Sequence, residues 1–297
     1  MAGFIAISIA LILIFGIAGS LCLFVFLPWS KEDIPEWAAA LFWIMSTAAG
    51  LGLWSYFAAI VADNRVPKEK ENQPAYPSFC IKCHKSRPAR AHHCSTCREC
   101  ILRMDHHCPW INNCVGERNH GHYLRFLAYW LVAMLLGLVL MMARLNELYG
   151  EFGSIDRAVE LAVLMADFVA CAVLSLMIGV LAVVQFANVV MSGKTTIEGM
   201  AKEQEPGSGD NNQSWLINGK AVFGRYVLLW PLPLPLAWNP LLVVDDAHVT
   251  RLGVNVAEEG EKGTSHRPYH ARFRQGSADD GGGFIVPSPN YAIRVGN

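Results

Sequence analysis

The sequence predicts an all-α integral membrane protein with four transmembrane helices and a cysteine-rich cytosolic domain between the second and third helix. The first observation is composition: hydrophobic residues make up 53% of the 297 residues and charged residues only 16%, against about 25% in a soluble domain. The second is that four apolar stretches reach the roughly 20 residues that cross a bilayer as a helix. The third is that seven of the nine cysteines lie within 35 residues, between the second and third stretch.

The apolar stretches define four predicted spans, namely residues 3–27, 37–62, 123–142 and 161–191. The first lacks a basic N-terminal flank and exceeds the roughly 7–15 apolar residues of a signal peptide, so it is interpreted as a retained span. Asp167 is the one acidic residue inside an apolar run. It either faces the interior of the helix bundle or marks a later helix start.

Basic residues in the loops set the predicted orientation. Ten Lys or Arg residues lie in the loop 63–121 and ten more follow residue 191, whereas the loops 27–36 and 143–160 hold one and two. The positive-inside rule therefore places the 63–121 loop, the C-terminal tail and, with four spans, the N-terminus in the cytosol. Because the cytosol is reducing, the clustered thiols are not expected to form disulfides.

Spans and loops divide the chain into five segments. Residues 1–62 hold the first two helices with a short lumenal loop, 63–122 the cysteine-rich domain, 123–191 helices three and four, 192–249 an apolar, proline-rich interfacial segment, and 250–297 a polar, glycine-rich tail expected to be disordered. The prolines after residue 230 argue against a fifth regular span. No internal repeat is apparent in the sequence.

The cysteine-rich domain has the composition of a metal-binding domain. Seven of the ten histidines fall between residues 84 and 122, among the clustered cysteines, which favours metal ligation over disulfides. Closed structural zinc sites take four Cys or His ligands, so two sites need eight. Seven cysteines with one histidine would use every thiol, whereas six cysteines with two histidines would leave one thiol free. The spacing alone leaves both counts open.

Cys108 is the cysteine best placed for chemistry. It directly follows Asp105, His106 and His107, and such a set supplies a nucleophile, a base and an orienting acid. If the segment is extended, His106 and Cys108 share one face and His107 points the other way, towards a metal. Asp105 then needs a bend in the backbone to reach His106.

With these features the loop resembles the cysteine-rich domain of the DHHC-type protein S-acyltransferases (palmitoyltransferases). The matching residues are Cys80-x2-Cys83, Arg87-Pro-x-Arg90, His93-Cys94-x2-Cys97-x2-Cys100, Asp105-His-His-Cys-Pro-Trp110, Asn112-Asn-Cys-Val-Gly116, Asn119 and, after the fourth span, Thr195-Thr-Ile-Glu198. Two positions depart from the family pattern: Asp63-Asn-Arg-Val-Pro67 replaces an Asp-Pro-Gly, and Tyr123 stands where a Phe is common. The family's C-terminal aromatic and Asn element has no recognised match.

The resemblance implies a role for each matching residue. One zinc ion would be held by Cys80, Cys83, His93 and Cys100, and a second by Cys94, Cys97, His107 and Cys114. Cys108 would be the acylated nucleophile, His106 its base and Asp105 the group that orients His106. The further site residues are Thr195, Thr196, Glu198 and Asn119. Thr195 with Glu198 also fits a helix capping box, a role compatible with contact to the active site.

The implied activity is transfer of palmitate, or a similar long acyl chain, from acyl-CoA to cysteine thiols of protein substrates, in two ping-pong steps through an acyl-Cys108 intermediate. Its cofactors would be two structural zinc ions, with acyl-CoA as co-substrate. Its partners would be cytosolic or membrane-associated proteins with accessible cysteines, and the lipid bilayer. The resemblance also implies an endomembrane location, the Golgi first, with the ER or plasma membrane as alternatives.

Other functions rank below this one. Nucleic acid is excluded as a partner by the net charge of −1 and by the lack of an evident base-reading helix. The alternative is a catalytically silent membrane adaptor with a structural zinc loop. The intact Asp-His-His-Cys run favours the enzyme, because an inactive relative could lose Cys108 and keep both metal sites. A zinc transporter ranks last, because only Asp167 and the His120/His122 pair supply ionisable groups in the spans.

Overall fold

Four long helices form most of the structure. The computed structural model describes residues 2–27, 34–68, 78–148, 155–200, 214–224 and 226–233. The long helices are α1 (Ala2–Leu21), α2 (Glu36–Val61), α3 (His120–Leu148) and α4 (Ile155–Phe186). A π-helical turn extends α1 over Cys22–Phe26, and a second extends α4 over Ala187–Met191. Two short helices, α5 (Thr196–Met200) and α6 (Trp215–Phe223), precede a 3-10 turn at Val227–Leu229.

The long helices are apolar enough to cross a membrane, over Gly3–Phe26, Glu36–Val61, His120–Leu148 and Arg157–Met191. The four predicted spans are therefore confirmed as apolar helices, and they indicate a membrane protein. α3 begins before the predicted span, because the polar residues at its start are buried and continue the helix. α4 begins well before Asp167, so this acid does not mark a later helix start.

α3 is the central helix, packed along α2 and along α4. Its buried residues Leu140 and Met141 form one core with Val25 and Leu164. Near the end of α3 the buried Arg144 pairs with Glu160 of α4 at 2.7 Å. A buried charge without such a partner would be costly, so this ion pair ties the two helices together.

The cysteine-rich domain consists of three antiparallel β-hairpins, so the predicted all-α class applies to the helices and not to this segment. The strands are β1 (Ser78–Cys80) with β2 (Lys85–Arg87), β3 (His92–Cys94) with β4 (Glu99–Ile101), and β5 (His106–Cys108) with β6 (Asn113–Val115). Each strand has three residues, too few for a two-residue alternation of polar and apolar side chains to stand out in the sequence.

The three hairpins are copies of one another, contrary to the sequence analysis, which recognised no repeat. The last residues of their first strands are Cys80, Cys94 and Cys108, which recur every 14 residues and pair in the same register. Each loop ends in a residue with left-handed backbone, at φ 55°, 59° and 47°; these residues are His84, Arg98 and Asn112. The repeat is therefore one of backbone geometry and of cysteine position.

Two asparagines fix the third hairpin to the end of α2. The Asn113 side chain donates to the carbonyls of Ala59, Ile60 and Ala62 at 2.7–3.2 Å. The Asn119 amide donates to the carbonyl of Ala59 at 3.0 Å. The last carbonyls of a helix lack partners within it, so these amides cap α2 and hold the hairpin at its end.

Part of the C-terminal segment is described. It contains a close contact between Asn218 and Gly193 that the sequence analysis did not recognise. In α6 the buried Asn218 lies so close to Gly193 that a Cβ on Gly193 would meet its Oδ1 at 2.8 Å. Gly193 has a φ of 67°, which glycine adopts without strain. The proline-rich segment beyond residue 233 and the tail 250–297 lie outside the described residues.

Candidate active site and metal-binding clusters

The first cluster joins the first two hairpins. It consists of Cys80, Cys83, His93 and Cys100, whose ligand atoms all lie within 4.8 Å of one another. Cys83 Sγ lies 3.1 Å from His93 Nδ1 and 3.7 Å from Cys100 Sγ. The two cysteines of the first loop thus meet a histidine and a cysteine that face each other across the second hairpin.

The second cluster repeats this arrangement one hairpin further along. It consists of Cys94, Cys97, His107 and Cys114, again within 4.8 Å. His107 Nδ1 lies 3.4–3.7 Å from the three sulfurs, and Cys97 Sγ lies 3.5 Å from Cys114 Sγ. His107 and Cys114 are paired across the third hairpin. Each cluster therefore connects one hairpin to the next.

The geometry of both clusters fits a tetrahedral zinc ion. Zinc–sulfur bonds of about 2.3 Å separate two sulfurs by roughly 3.8 Å, close to the observed 3.5 and 3.7 Å. Thiolates with imidazole are the donors that zinc prefers in closed sites. In each loop the backbone N–H of the second cysteine also points at the sulfur of the first, at 3.4 and 3.3 Å. The two groups of four residues could each hold one metal ion.

The third hairpin differs at a single decisive position. Ile111 occupies the place that Cys83 and Cys97 have in the first two loops. Cys108 therefore has no partner sulfur in its own loop. Within the described parts of the chain, it belongs to neither group of metal-binding geometry. The repeat thus identifies the spare thiol that the count of ligands left open.

Cys108 lies in an apolar cluster of side chains between the third hairpin and two long helices. It is buried and packs in one cluster with Tyr56 of α2 and Tyr123 of α3. The Cys108 thiol interacts electrostatically with the side chains of His106 and Tyr123. His106 and Tyr123 also meet edge to face, with ring centroids 5.5 Å apart. His106 and Cys108 lie on the same face of β5, in the arrangement expected for an extended strand.

Asp105 lies just before β5, at the bend that the sequence analysis required, and it is fully buried. Its Oδ2 is 2.6 Å from His106 Nδ1, which leaves Nε2 of that ring for the thiol. Thr196 donates its backbone N–H to Oδ1 at 2.6 Å and its hydroxyl to Oδ2 at 3.0 Å. Gln185 Nε2 donates to Oδ2 at 3.0 Å.

These contacts determine the protonation states of Asp105 and His106. Burial alone would raise the pKa of Asp105, but the hydrogen bonds from His106, Thr196 and Gln185 outweigh it and hold the pKa well below its usual range. Burial alone would lower the pKa of His106, but its hydrogen bonds with Asp105 and Cys108 raise the pKa to about 9. The carboxylate therefore stays ionised beside an imidazole that readily holds a proton.

The Thr-Thr-Ile-Glu motif serves as a helix cap and as an active-site contact together. Glu198 accepts the backbone N–H of Thr195 at 2.8 Å, and the Thr195 hydroxyl accepts that of Glu198 at 3.4 Å, which forms a capping box. The carboxylate of Glu198 also receives Arg90 at 2.5 and 2.6 Å. Arg90 donates in addition to the carbonyl of Gly193 at 2.8 Å. The motif thereby joins the loop before β3 to the residues that hold Asp105.

Asn119 supports the metal-binding loop. Its Oδ1 accepts the backbone N–H of Gly116 at 2.9 Å, and its Nδ2 donates to the carbonyl of Cys114 at 3.0 Å. Asn64, which the sequence analysis did not single out, adds a bond to the same carbonyl at 3.0 Å. Asn119 thus acts between α2 and the third hairpin and not on the thiol.

Sequence reasoning missed two residues that contact the reactive group or its carboxylate. Tyr123 was noted only as a departure from a family pattern, yet it packs in one buried cluster with Cys108. Gln185 was not considered. The available signal was that a primary amide inside an apolar run of spanning length is costly unless it has partners.

A family comparison covers this whole arrangement. Residues 73–203 match the sequence model described as DHHC palmitoyltransferase. The matched region contains both clusters, the Asp105–Cys108 run and the Thr-Thr-Ile-Glu motif. No curated protein matches the chain.

Proposed function

Since residues 73–203 match the family model of DHHC palmitoyltransferases, we propose that the chain transfers palmitate, or a similar long acyl chain, from acyl-CoA to cysteine thiols of protein substrates. One observation carries the proposal. A buried thiol lies outside both metal-binding clusters and on the same face of β5 as a histidine that a buried aspartate orients. Nucleophile, base and orienting acid are the elements of covalent acyl transfer.

In the first step, His106 Nε2 takes the proton of the Cys108 thiol. The thiolate attacks the carbonyl carbon of acyl-CoA, a new carbon–sulfur bond forms, and the bond to the CoA sulfur breaks. The departing CoA thiolate takes the proton from His106. The product is an acyl-Cys108 thioester, and free CoA leaves.

In the second step, His106 accepts a proton from a cysteine of the protein substrate. This thiolate attacks the acyl-Cys108 carbonyl, and the Cys108 sulfur leaves and regains its proton. Each step replaces one thioester by another, so the free energies of donor and product are similar. The reaction therefore needs no ATP at this stage.

Asp105 keeps His106 ready for both proton transfers. Its short hydrogen bond to Nδ1 fixes the ring so that Nε2 faces the thiol, and its charge stabilises the imidazolium formed when the proton moves. Thr196 holds the carboxylate on both oxygens. The position of Asp105 outside β5 thus supports a role as an orienting group.

The two clusters are proposed to hold structural zinc. Four protein ligands fill each tetrahedral site and leave no position for water, so a zinc ion bound there contributes folding free energy. The ligands Cys114 and His107 lie in the strands that carry Cys108 and its pairing partner. Metal binding at the second cluster thereby fixes the strand on which the nucleophile lies.

The acyl chain is proposed to lie among the apolar helices. Cys108 packs against Tyr56 of α2 and against Tyr123 and Leu127 of α3, so a chain attached to its sulfur starts beside apolar helix surfaces. Each buried methylene contributes about 0.8 kcal/mol, and a long chain would be held firmly. The basic loop and tail support a cytosolic site, where acyl-CoA is found. We assign the chain to an endomembrane, the Golgi first, on the family resemblance.

A chase experiment tests the transfer. The purified protein is loaded with labelled palmitoyl-CoA, the donor is removed, and a cysteine-containing acceptor peptide is added. We expect the label to leave the protein and appear on the peptide as a hydroxylamine-labile thioester. A Cys22→Ser variant, altered at an exposed thiol of the π turn after α1, should behave as wild type. A zinc-loaded wild-type protein that never takes up label would favour the membrane adaptor instead.

A further inference from the structure

We propose that Gln185 is a positioning residue that holds the Asp105 carboxylate in line with His106, a role that rests on the proposed acyl transfer. Gln185 lies in the last turn of α4 and is 4% exposed. Its neighbours in the helix are apolar, so a buried amide here costs free energy unless all its polar atoms are bonded.

Both ends of the Gln185 amide are bonded, to residues of α3, of α5 and of the segment before β5. Its Nε2 donates to Asp105 Oδ2 at 3.0 Å and to the Thr196 hydroxyl at 3.2 Å. Its Oε1 lies 3.1 Å from His120 Nε2 at the start of α3. The amide thus joins α3, α4 and α5 to the residue before β5.

The chemistry of the partners fixes the direction of these bonds. An ionised carboxylate can only accept, so the NH2 group of Gln185 must face Asp105. The carbonyl oxygen then faces His120, which must carry its proton on Nε2. A chain of donors therefore runs from His120 to Gln185 to Asp105, and it meets the His106 Nδ1–H at the same oxygen, Oδ2.

The backbone after Gln185 is shaped to allow this contact. Gln185 and Thr196 are eleven residues apart, which in a continuous α-helix would separate them by roughly 16 Å. The π turn Ala187–Met191 and Gly193 with φ 67° turn the chain back, so that both side chains reach one carboxylate. Single π turns are frequent at functional sites. Gln185 and Thr196 approach Asp105 from different elements and together restrict rotation of its carboxylate.

Two substitutions of Gln185 distinguish a role in positioning Asp105 from a role in packing alone. Gln185→Met keeps the length of the side chain and removes all three hydrogen bonds. Gln185→Glu keeps the shape and an acceptor for His120 but removes the donor to Asp105. The matched control is Ser175→Ala, a buried polar residue of the same helix whose hydroxyl bonds only the carbonyl of Ala172 among the described contacts.

We expect both Gln185 variants to lower kcat for CoA release about tenfold, the size expected for loss of a hydrogen bond to a charged group. KM for palmitoyl-CoA and two zinc ions per chain should stay as in wild type, and Ser175→Ala should be unaffected. In the Asp105→Ala background, Gln185→Met should cause no further loss, since its effect passes through Asp105.

Three results would overturn the assignment. They are an unchanged kcat in Gln185→Met, a loss that multiplies with that of Asp105→Ala, and a parallel loss of zinc. A proton NMR readout separates this proposal from the proposed function. If wild type is inactive but the low-field Nδ1 proton of His106 shifts in Gln185→Met and not in Ser175→Ala, positioning stands and acyl transfer fails. If that proton is unmoved, positioning fails whatever the activity.

Discussion

Asp105 is the residue on which the candidate site converges. Its carboxylate is fully buried, and the cost of burying a charge is offset by hydrogen bonds from His106, Gln185 and Thr196. Three of the donors meet on Oδ2, the oxygen that holds His106. The position of this one oxygen therefore determines where the base stands relative to the Cys108 thiol.

Asp105→Asn should lower the rate of Cys108 acylation by at least about a hundredfold, because a neutral amide neither fixes the tautomer of His106 nor stabilises its imidazolium. The measurement is single-turnover labelling with palmitoyl-CoA. Asp63→Asn serves as control, because among the described residues the Asp63 carboxylate forms its ion pair with the exposed Arg65, and the charge of Arg118 lies nearby. Equal rates for both variants would contradict the role given to Asp105.

Arg90 lies in a loop, but we expect its side chain to contribute to the free energy of unfolding. Its bidentate ion pair with Glu198 is largely buried, with side-chain exposures of 24% and 8%. Lysine cannot reproduce the bidentate contact or the bond to Gly193. We expect Arg90→Lys to lower the free energy of unfolding by about 1–3 kcal/mol, the value of hydrogen bonds to charged groups.

The same conservative change at Arg65 provides the control for this prediction. Arg65 pairs with Asp63 in a bridge whose side chains are 61% and 51% exposed. Exposed pairs contribute about 0–1 kcal/mol, so Arg65→Lys should scarcely alter the melting temperature. Melting curves in detergent that rank the two variants the other way would show that the Arg90 pair does not stabilise the loop.

At the scale of elements, the repeated hairpin explains why Cys108 is free. The first two loops contribute two cysteines each to a cluster, whereas the third, in which Ile111 stands in place of the second cysteine, contributes none. Cys108 thus occupies a position that is part of a cluster in the first two hairpins, without belonging to a cluster itself. Ile111 stands where the first two loops have a second cysteine, and on our proposal this leaves the Cys108 thiol available for chemistry.

This repeat also shows what the sequence could predict at this scale and what it could not. The four helices follow from apolar runs of spanning length, and their approximate bounds were predicted. The hairpins were missed because three-residue strands carry no periodicity, and the repeat was missed because Ile111 breaks the cysteine pattern. Gln185 was missed because its partners lie 80 and 65 residues away in the chain.

Cys114→Ser should reduce the zinc content from two ions to one per chain and abolish acylation of Cys108. Cys114 is a member of the second cluster and lies in β6, beside the strand that carries the nucleophile. Without metal at this cluster the third hairpin loses its link to the second. The checks are metal analysis by mass spectrometry and labelling of the same sample. Two bound zinc ions in this variant would contradict the assigned ligand set.

At the scale of the whole molecule, the helices and the hairpins form one connected site. α2 receives the third hairpin at its C-terminal carbonyls, α3 contributes Tyr123 and His120, and α4 contributes Gln185. The nucleophile is therefore held where the apolar helices end. This arrangement suits a reaction between a lipid chain and a water-exposed thiol.

The proposed orientation makes a prediction for the chain in a eukaryotic cell. A glycosylation sequon with glycine spacers, inserted after Lys31, should be glycosylated, because this loop holds one basic residue and is predicted to be lumenal. The same insertion after Asp210 should remain unmodified. Glycan on the second insertion and none on the first would reverse the orientation and place the site on the wrong side for acyl-CoA.

The most direct test of the central claim is to locate the acyl group. Purified zinc-loaded protein is incubated with palmitoyl-CoA, and the modified residue is identified by mass spectrometry of its peptides, with and without hydroxylamine. We expect one hydroxylamine-labile palmitoyl group on Cys108, absent from Cys108→Ser, which should keep both zinc ions. Palmitate on another cysteine, or loss of zinc in Cys108→Ser, would contradict the assignment of Cys108 as the free nucleophile.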